Sequence, residues 1–302
     1  MNEILGQSVP MIVLMVVGFL FRQLGVLRRD DGHTMARVII NATLPALLFL
    51  ALARAEVEAS QLLLLGLCGA VIPLVLHLVA IQVTRWLHLE RSVAGVVVTG
   101  TMITLIGFFL IPFFQAFYGP EGVSRLAAFD LGNSLVANSY AYFVATRYGN
   151  RPTFGRWTGL KRILALPTLW ANLLGIVFNL GGIGVPDFVV GVLEPLSKAN
   201  TPLAMLTLGA FIELRFPNWK PMFATVLLRI GGGWALGQAL VLALSLTGLD
   251  RAAVALGAAM PVGVATLVFA SMEGLDVDFA AATISLSILV GLLITPLLLA
   301  AY

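Results

Sequence analysis

Long apolar runs alternate with short polar clusters along the whole chain. A helix needs about 20 mainly apolar residues to cross the hydrocarbon of a bilayer. Ten runs approach or exceed that length: Ile4–Phe21, Met35–Ala53, Gln61–Val83, Ser92–Phe117, Leu126–Ala145, Ile163–Leu180, Phe188–Leu214, Pro221–Leu246, Ala252–Met272 and Val277–Tyr302. Between them lie breakers such as Tyr118-Gly119-Pro120 and Gly181-Gly182-Ile183-Gly184. The pattern predicts an all-α membrane protein with ten transmembrane helices. The longest loop, Tyr148 to Arg162, is expected to link two halves, residues 1–150 and 151–302.

Composition supports this reading. Apolar residues make up 59% of the 302 and charged residues 11%, whereas ordinary soluble domains are about one quarter charged. A soluble fold would lack the polar shell it needs. The single cysteine, Cys68, excludes an intramolecular disulfide framework and a Cys-rich metal site. A net charge of +3, spread over loops, does not suggest nucleic acid as a partner. Glu3 stands where a signal peptide would be basic, so the first run is expected to be a spanning helix.

The basic residues orient the chain. Arg22, Arg28, Arg29, Arg37, Arg85, Arg91, Arg147, Arg151, Arg156, Lys161, Arg162, Arg215 and Lys220 all follow odd-numbered spans. Only Arg54, Arg125 and Arg251 fall on the other side. The expected location is the inner (plasma) membrane, multi-pass, with both termini outside.

The second half echoes the first. Val17-Gly18-Phe19-Leu20-Phe21 is answered by Leu174-Gly175-Ile176-Val177-Phe178, and Asn41-Ala42-Thr43-Leu44-Pro45 by Asn200-Thr201-Pro202-Leu203-Ala204. Tyr118-Gly119 followed by Leu126-Ala127-Ala128 parallels Glu273-Gly274 followed by Phe279-Ala280-Ala281. Five spans per half turn the second copy upside down. That 5+5 inverted repeat is a transporter architecture whose site lies near the bilayer midplane.

Proline inside a span removes an N–H and frees the carbonyl four residues back. Pro45 and Pro202 would free the carbonyls of Asn41 and Lys198, while Pro112 and Pro261 sit in spans four and nine. Each is either a simple kink or part of a site where broken, crossing helices aim their dipoles at an anion. In span five, Asp130, Asn133, Ser134 and Asn138 form one polar stripe at helical spacing. Asp130 either pairs with a cation such as Arg229 or serves the site, where it could carry a coupling proton. Thr283 and Ser287 occupy the positions of Asp130 and Ser134 in the repeat. His77 reads as a hydrogen-bonded interior histidine, and Glu194 and Lys198 as a helical pair. Arg229 either attracts substrate or snorkels. Glu273, Asp276 and Asp278 read as a solvated outer loop.

The runs Asn41-Ala42-Thr43-Leu44-Pro45-Ala46-Leu47-Leu48-Phe49, Gly107-Phe108-Phe109-Leu110-Ile111-Pro112, Asp130-Leu131-Gly132-Asn133 and Thr201-Pro202-Leu203-Ala204 together resemble the auxin efflux carrier family. That family includes bacterial members assigned to malonate and similar organic acids. The resemblance covers nearly the whole chain and implies crossing broken helices four and nine. It also implies a scaffold of spans one, two, six and seven, a moving transport domain of spans three to five and eight to ten, and scaffold-mediated homodimers. Members often carry Asn shortly before the glycine that matches Gly107, where this chain has Thr104, Leu105 and Ile106. The family's middle glycine is Leu110 here.

The expected function is therefore elevator-type secondary transport of a small organic anion, a dicarboxylate or an auxin-like aromatic acid. The candidate substrate-binding residues are Asn41, Gly107, Pro112, Asp130, Asn133, Asn138, Asn200, Thr201, Pro261 and Gly263, with Asp130 as the coupling candidate. No cofactor or metal is expected; a proton or sodium could couple transport, although no carboxylate cage for sodium is evident. A membrane enzyme is disfavoured, since His-Glu-x-x-His and Asp-rich magnesium motifs are missing from the sequence. A membrane ligand sensor or a channel on the same fold remains the alternative.

Overall fold

The structure, a computed structural model, describes residues 2–150, 161, 163–213 and 218–302. Arg151, Arg156, Arg162 and Arg215 of the charge pattern lie outside the described residues. Among the described residues the chain is helical throughout, and its one strand-like feature is an isolated β-bridge.

Helix α1 spans Asn2–Gln23. Helix α2, Arg29–Val38, passes through a π-turn at Ile39–Thr43 into α3, Leu44–Ala53. Pro45 sits in the first turn of α3, where a missing N–H is tolerated. The π register absorbs the disturbance upstream, pairing the Leu44 N–H with the Ile39 carbonyl five residues back. Helix α4, Ala59–Trp86, is long and uninterrupted.

The fourth apolar run contains two helices, α5 (Arg91–Met102) and, after a π-turn at Ile106–Leu110, α6 (Ile111–Val136). Residues 103–105 between them are extended or irregular. Pro112 occupies the first turn of α6, so it helps start that helix and does not break it. The next reversal is at Gly119, inside α6, with φ 59° and ψ −159°, a conformation only glycine adopts cheaply. A π-turn at Ala137–Ala141 leads into α7, Tyr142–Tyr148.

The second half holds α8 (Pro167–Leu180), α9 (Asp187–Phe211), α10 (Trp219–Val226), a π-turn at Leu227–Gly232 and α11 (Gly233–Ala243). It ends with α12 (Gly248–Ala258), α13 (Ala265–Glu273) and α14 (Val277–Leu299). The ninth apolar run is thus also interrupted, and here Pro261 lies within the break itself. Among the described residues four helical stretches are long and apolar enough to cross a membrane: Asp30–Ala53, Ala59–Trp86, Trp219–Ala243 and Val277–Leu299. The ninth run is divided into two helices of 11 and 9 residues, and the first part of the fourth is a helix of 12 residues, each too short to cross alone.

Close backbone approach holds the helices together. α1 packs on α9, α3 on α8, α4 on α6 and α11 on α12. A Cβ added at Gly132 would lie 1.8 Å from the Gly66 carbonyl oxygen, and one at Gly69 would lie 1.9 Å from that of Phe129. The α1–α9 contact repeats the device, with Gly18 against the Leu206 carbonyl at 2.1 Å and Gly209 against that of Met15 at 1.9 Å. Between lipid-facing helices water supplies no hydrophobic drive, so such small-residue contacts carry the packing. The outer surface bears large exposed apolar side chains, among them Leu63, Leu78, Phe188, Leu242, Leu293 and Leu297. A surface of this kind calls for a lipid environment.

The two ends of the bundle have distinct partners. Arg125 bridges to Asp250 at 3.3 Å, and Arg251 covers the Tyr302 ring at one end. At the other, the Arg91 guanidinium donates to the Arg147 carbonyl at 2.7 Å. Glu273 corrects an expectation. It is fully buried, accepts a 2.7 Å hydrogen bond from the Tyr142 hydroxyl, and its carbonyl accepts from Asn150 N–H at 3.0 Å. It therefore sits at the end of the molecule that carries Arg147, not in a solvated loop opposite, because the shortened α13 ends against α7. Glu194 and Lys198 pair at 2.8 Å, as their spacing predicts.

Glycine contacts of this kind leave no room for a side chain. Gly132→Val is expected to destabilise the protein by about 3 kcal/mol or more, beyond ordinary overpacking, since the clash is with backbone. Gly191→Ala, inside α9 with nothing within 4 Å of the added Cβ, should not lower the melting temperature and is expected to raise it slightly, by the roughly 0.5–1 kcal/mol that alanine gains over glycine in a helix. Thermal unfolding in detergent checks both.

Candidate functional site

The two interruptions meet. Thr104 and Val262 form an antiparallel bridge, in which Leu105 N–H donates to the Pro261 carbonyl at 3.0 Å and Gly263 N–H to the Ile103 carbonyl at 2.8 Å. Gly263 is required by proximity: a Cβ there would stand 2.7 Å from Ile103 Cγ2 and 2.9 Å from the Thr104 carbonyl oxygen. Gly291 of α14 makes room for the Pro261 ring in the same way. Two short extended segments thus cross inside a helical bundle.

Unwinding two helices in a water-poor interior strands their terminal carbonyls. The Thr101 carbonyl would normally take the N–H of Leu105, but that N–H is committed to Pro261. The Ala258 carbonyl would take the N–H of Val262, but that donates to the Ser287 hydroxyl at 3.0 Å. Arg229 replaces both donors. Its Nη1 donates to the Thr101 carbonyl at 3.0 Å, its Nη2 to the Ala258 carbonyl, and its Nε to the Met260 carbonyl at 3.1 Å. The side chain is completely buried, so it does not snorkel. Nor is it the partner of Asp130: among the described residues no ion pair joins the two. The π-turn at Leu227–Gly232 carries Arg229 to this position.

Beside the crossing lies a cavity of about 710 Å³. One wall is the crossing itself, Ile103 to Phe108 and Gly263 to Ala265; the other is α2, with Asp30, His33, Thr34 and Arg37, and Asn138 also contributes. His33 packs its ring against Phe211 at 5.3 Å between centroids. The helices that resume after the breaks begin at this wall, with Ile106 and Ala265 as their first residues. Their partly positive N-terminal ends therefore border the cavity. Thr104 also lines it, and its hydroxyl has no hydrogen-bond partner among the described residues.

Of the residues singled out from the sequence, Gly107, Asn138 and Gly263 line this cavity. Pro261 belongs to the crossing and Pro112 to the first turn of α6 beyond it, and neither lines the cavity wall. Asn138 donates to the Ser134 carbonyl at 2.9 Å. Asp130 and Asn133 are one turn apart in α6, 3.5 Å between side-chain atoms, with Asn133 buried and Asp130 half-buried. Neither reaches the cavity wall. Asn41 is exposed, its amide donating to the Arg37 carbonyl at 2.7 Å, whereas Asn200 is fully buried and accepts from the Thr43 hydroxyl at 3.0 Å. The two asparagines of the repeated motif therefore do not converge, and Thr201 is half-buried beside Asn200.

Thr104, His33 and Arg37 were not singled out as site residues. The signal for Thr104 was its place where related carriers bear an amide. His33 and Arg37 belong to a charged segment that reads as a loop until α2 folds it against the crossing. His77 is interior, edge-on to the Tyr140 ring at 5.2 Å, but its Nδ1 lacks the expected hydrogen-bond partner among the described residues. Among the described residues no cluster of three or more metal-ligating side chains occurs.

Ser287 both donates to the Ile284 carbonyl at 2.7 Å and accepts from Val262, so it stitches α14 to the crossing. Ser287→Ala should leave the Val262 N–H unpaired and destabilise the protein by about 1–3 kcal/mol. Hydrogen exchange should speed up in peptides covering the 259–264 break while α4 is unaffected.

The family described as membrane transport protein matches residues 3–154 and 155–299. A protein named as an uncharacterised transporter in Methanothermobacter thermautotrophicus is 31% identical over 293 residues, covering 95% of this chain and 94% of its own length. A transporter of Methanocaldococcus jannaschii is 24% identical over 300 residues, with 95% and 94% covered. The transporter YfdV of Escherichia coli is 21% identical over 225 residues, with 68% and 67% covered. Matched almost from end to end, the chain belongs to the membrane transport protein family, the auxin-efflux-carrier-like transporters that its motifs resemble.

Proposed function

We propose that this protein is a secondary carrier of a small organic anion, a carboxylate such as a dicarboxylate or an auxin-like aromatic acid. The observation that carries this reading is the cavity of about 710 Å³ against the crossing, bordered by two helix N-termini and lined by Thr104 and Asn138. Its size suits a small molecule. Helix N-termini favour a bound carboxylate, while Thr104 and Asn138 offer hydrogen bonds to fix its orientation. Arg37 and His33 at the α2 wall add basic groups along the way in.

In this reading ten helices cross the plasma membrane as a 5+5 inverted repeat, with both termini outside. Helices α1 to α3, α8 and α9 form the scaffold through which two copies pair. The remaining helices form a transport domain that carries the crossing past the scaffold, elevator fashion. The cavity lies between the crossing and α2, at the boundary between those two bodies, where a substrate would be held by one and released past the other. Asp130, on the transport side but away from the cavity wall, would tune the movement by taking up a proton. Asn41, Asn200, Thr201, Asn133, Pro112 and Pro261 then act by shaping the scaffold and the crossing more than by touching substrate.

Uptake of labelled dicarboxylates and aromatic carboxylates into liposomes, with and without a pH gradient, tests the reading. Wild-type uptake should saturate and be competed by unlabelled acid. Asn138→Leu should raise KM about tenfold, the equivalent of one lost hydrogen bond at ~1.4 kcal/mol. Asp130→Asn should abolish the response to the pH gradient while leaving substrate binding intact. Saturable binding without flux in tight vesicles would instead identify a sensor.

A further inference from the structure

We propose that Arg229 is a resident, tethered cation occupying a carbonyl cage at the crossing, so that no inorganic cation binds there during the transport cycle. The cage consists of the Thr101, Ala258 and Met260 carbonyls, contributed by the C-terminal end of α5, the C-terminal end of α12 and the second break.

The electrostatics follow from the geometry. Each helix C-terminus carries about half a negative charge, and two of them point at the same place. Together they amount to about one elementary charge, which the guanidinium neutralises without a carboxylate. Converging carbonyls at half-helix ends are the kind of site that binds sodium in broken-helix transporters. Here the planar fork of an arginine, with its donors fixed in direction, fills that position from a third helix. The guanidinium is completely buried and the Thr101 and Ala258 carbonyls have lost their usual helical donors, so the contact replaces interior hydrogen bonds and is not an incidental surface pairing.

A consequence for selectivity also emerges. Four helix ends meet at the crossing, two positive and two negative. With the negative pair covered by Arg229, the positive pair at Ile106 and Ala265 is left to act on the cavity. The same residue would thus make the site anion-selective and free it from a sodium gradient. The transport half of this inference rests on the carrier reading; the cage itself rests on the hydrogen bonds alone.

The test is thermal unfolding of the full-length protein in detergent, with choline chloride replaced by sodium or guanidinium chloride at constant ionic strength. Wild type should melt at the same temperature in choline and sodium. Arg229→Ala should melt lower and regain roughly 3 °C, saturably, with low-millimolar guanidinium, as a vacated cage fills. Wild type stabilised by sodium, or Arg229→Ala as indifferent to guanidinium as to choline, would overturn the proposal. Should the alanine variant fail to fold, Arg229→Lys retains a tethered cation and should fold and remain indifferent to sodium; a sodium-stabilised lysine variant would count against the cage. Uptake separates this from the carrier reading. No wild-type uptake defeats the carrier and leaves the melting result standing, whereas sodium-dependent wild-type uptake defeats the resident cation and leaves the carrier.

Discussion

Unpaired backbone groups cannot be left in a hydrocarbon-like interior, and this constraint organises the protein around its crossing. Two helices are interrupted deep in an apolar bundle, where their backbone groups need partners. The bridge between Thr104 and Val262 pairs some of the freed groups, the Ser287 hydroxyl takes another, and the Arg229 guanidinium takes the carbonyls of Thr101, Ala258 and Met260. Removing one partner of a buried charged contact typically costs about 3–5 kcal/mol, because the other is left uncompensated. The irregular backbone therefore persists because it is held from three sides, by α10–α11, by α14 and by its own twin.

The same arrangement gives the cavity its character. Interrupting a helix creates a new N-terminus, and two such ends open beside one another on the wall that faces α2. A polar site is obtained in an apolar bundle with few charged side chains, using peptide dipoles that are fixed in place before any ligand arrives. Glycine makes this possible at Gly263, where any side chain would collide with Ile103 and Thr104. Elsewhere Gly66, Gly69 and Gly132 let α4 and α6 approach to backbone contact, supporting the crossing with a rigid neighbour.

Much of the framework was legible in one dimension. Most described helices follow the apolar runs, since length and hydropathy are local properties of a sequence, although α2 begins ahead of its run and α6 continues from the fourth into the fifth. Gly107 and Asn138, which line the cavity, each carry a local signature, a motif glycine and a polar residue in an apolar helix. Pro112 shows the limit. A proline inside an apolar run can break a helix or start one, and the choice depends on where the upstream hydrogen bonds go. Here the break lies at residues 103–105, and Pro112 takes the first turn of the next helix. Glu273 shows another: its carboxylate reads as solvated until the Tyr142 hydroxyl, 131 residues away, is seen to partner it.

The sequence by itself determined an all-helical chain suited to a bilayer and the presence of polar groups at depth, because these depend on composition and spacing alone, whereas the interruption of two runs was implied only by the resemblance to a family. Tertiary structure decided which polar groups meet. It set Arg229 on backbone carbonyls and not on Asp130, separated Asn41 from Asn200, and brought Thr104 and α2 together around one cavity. Those pairings join residues on different helices, and their geometry depends on helix rotation and crossing, which no local pattern of apolar and polar residues specifies.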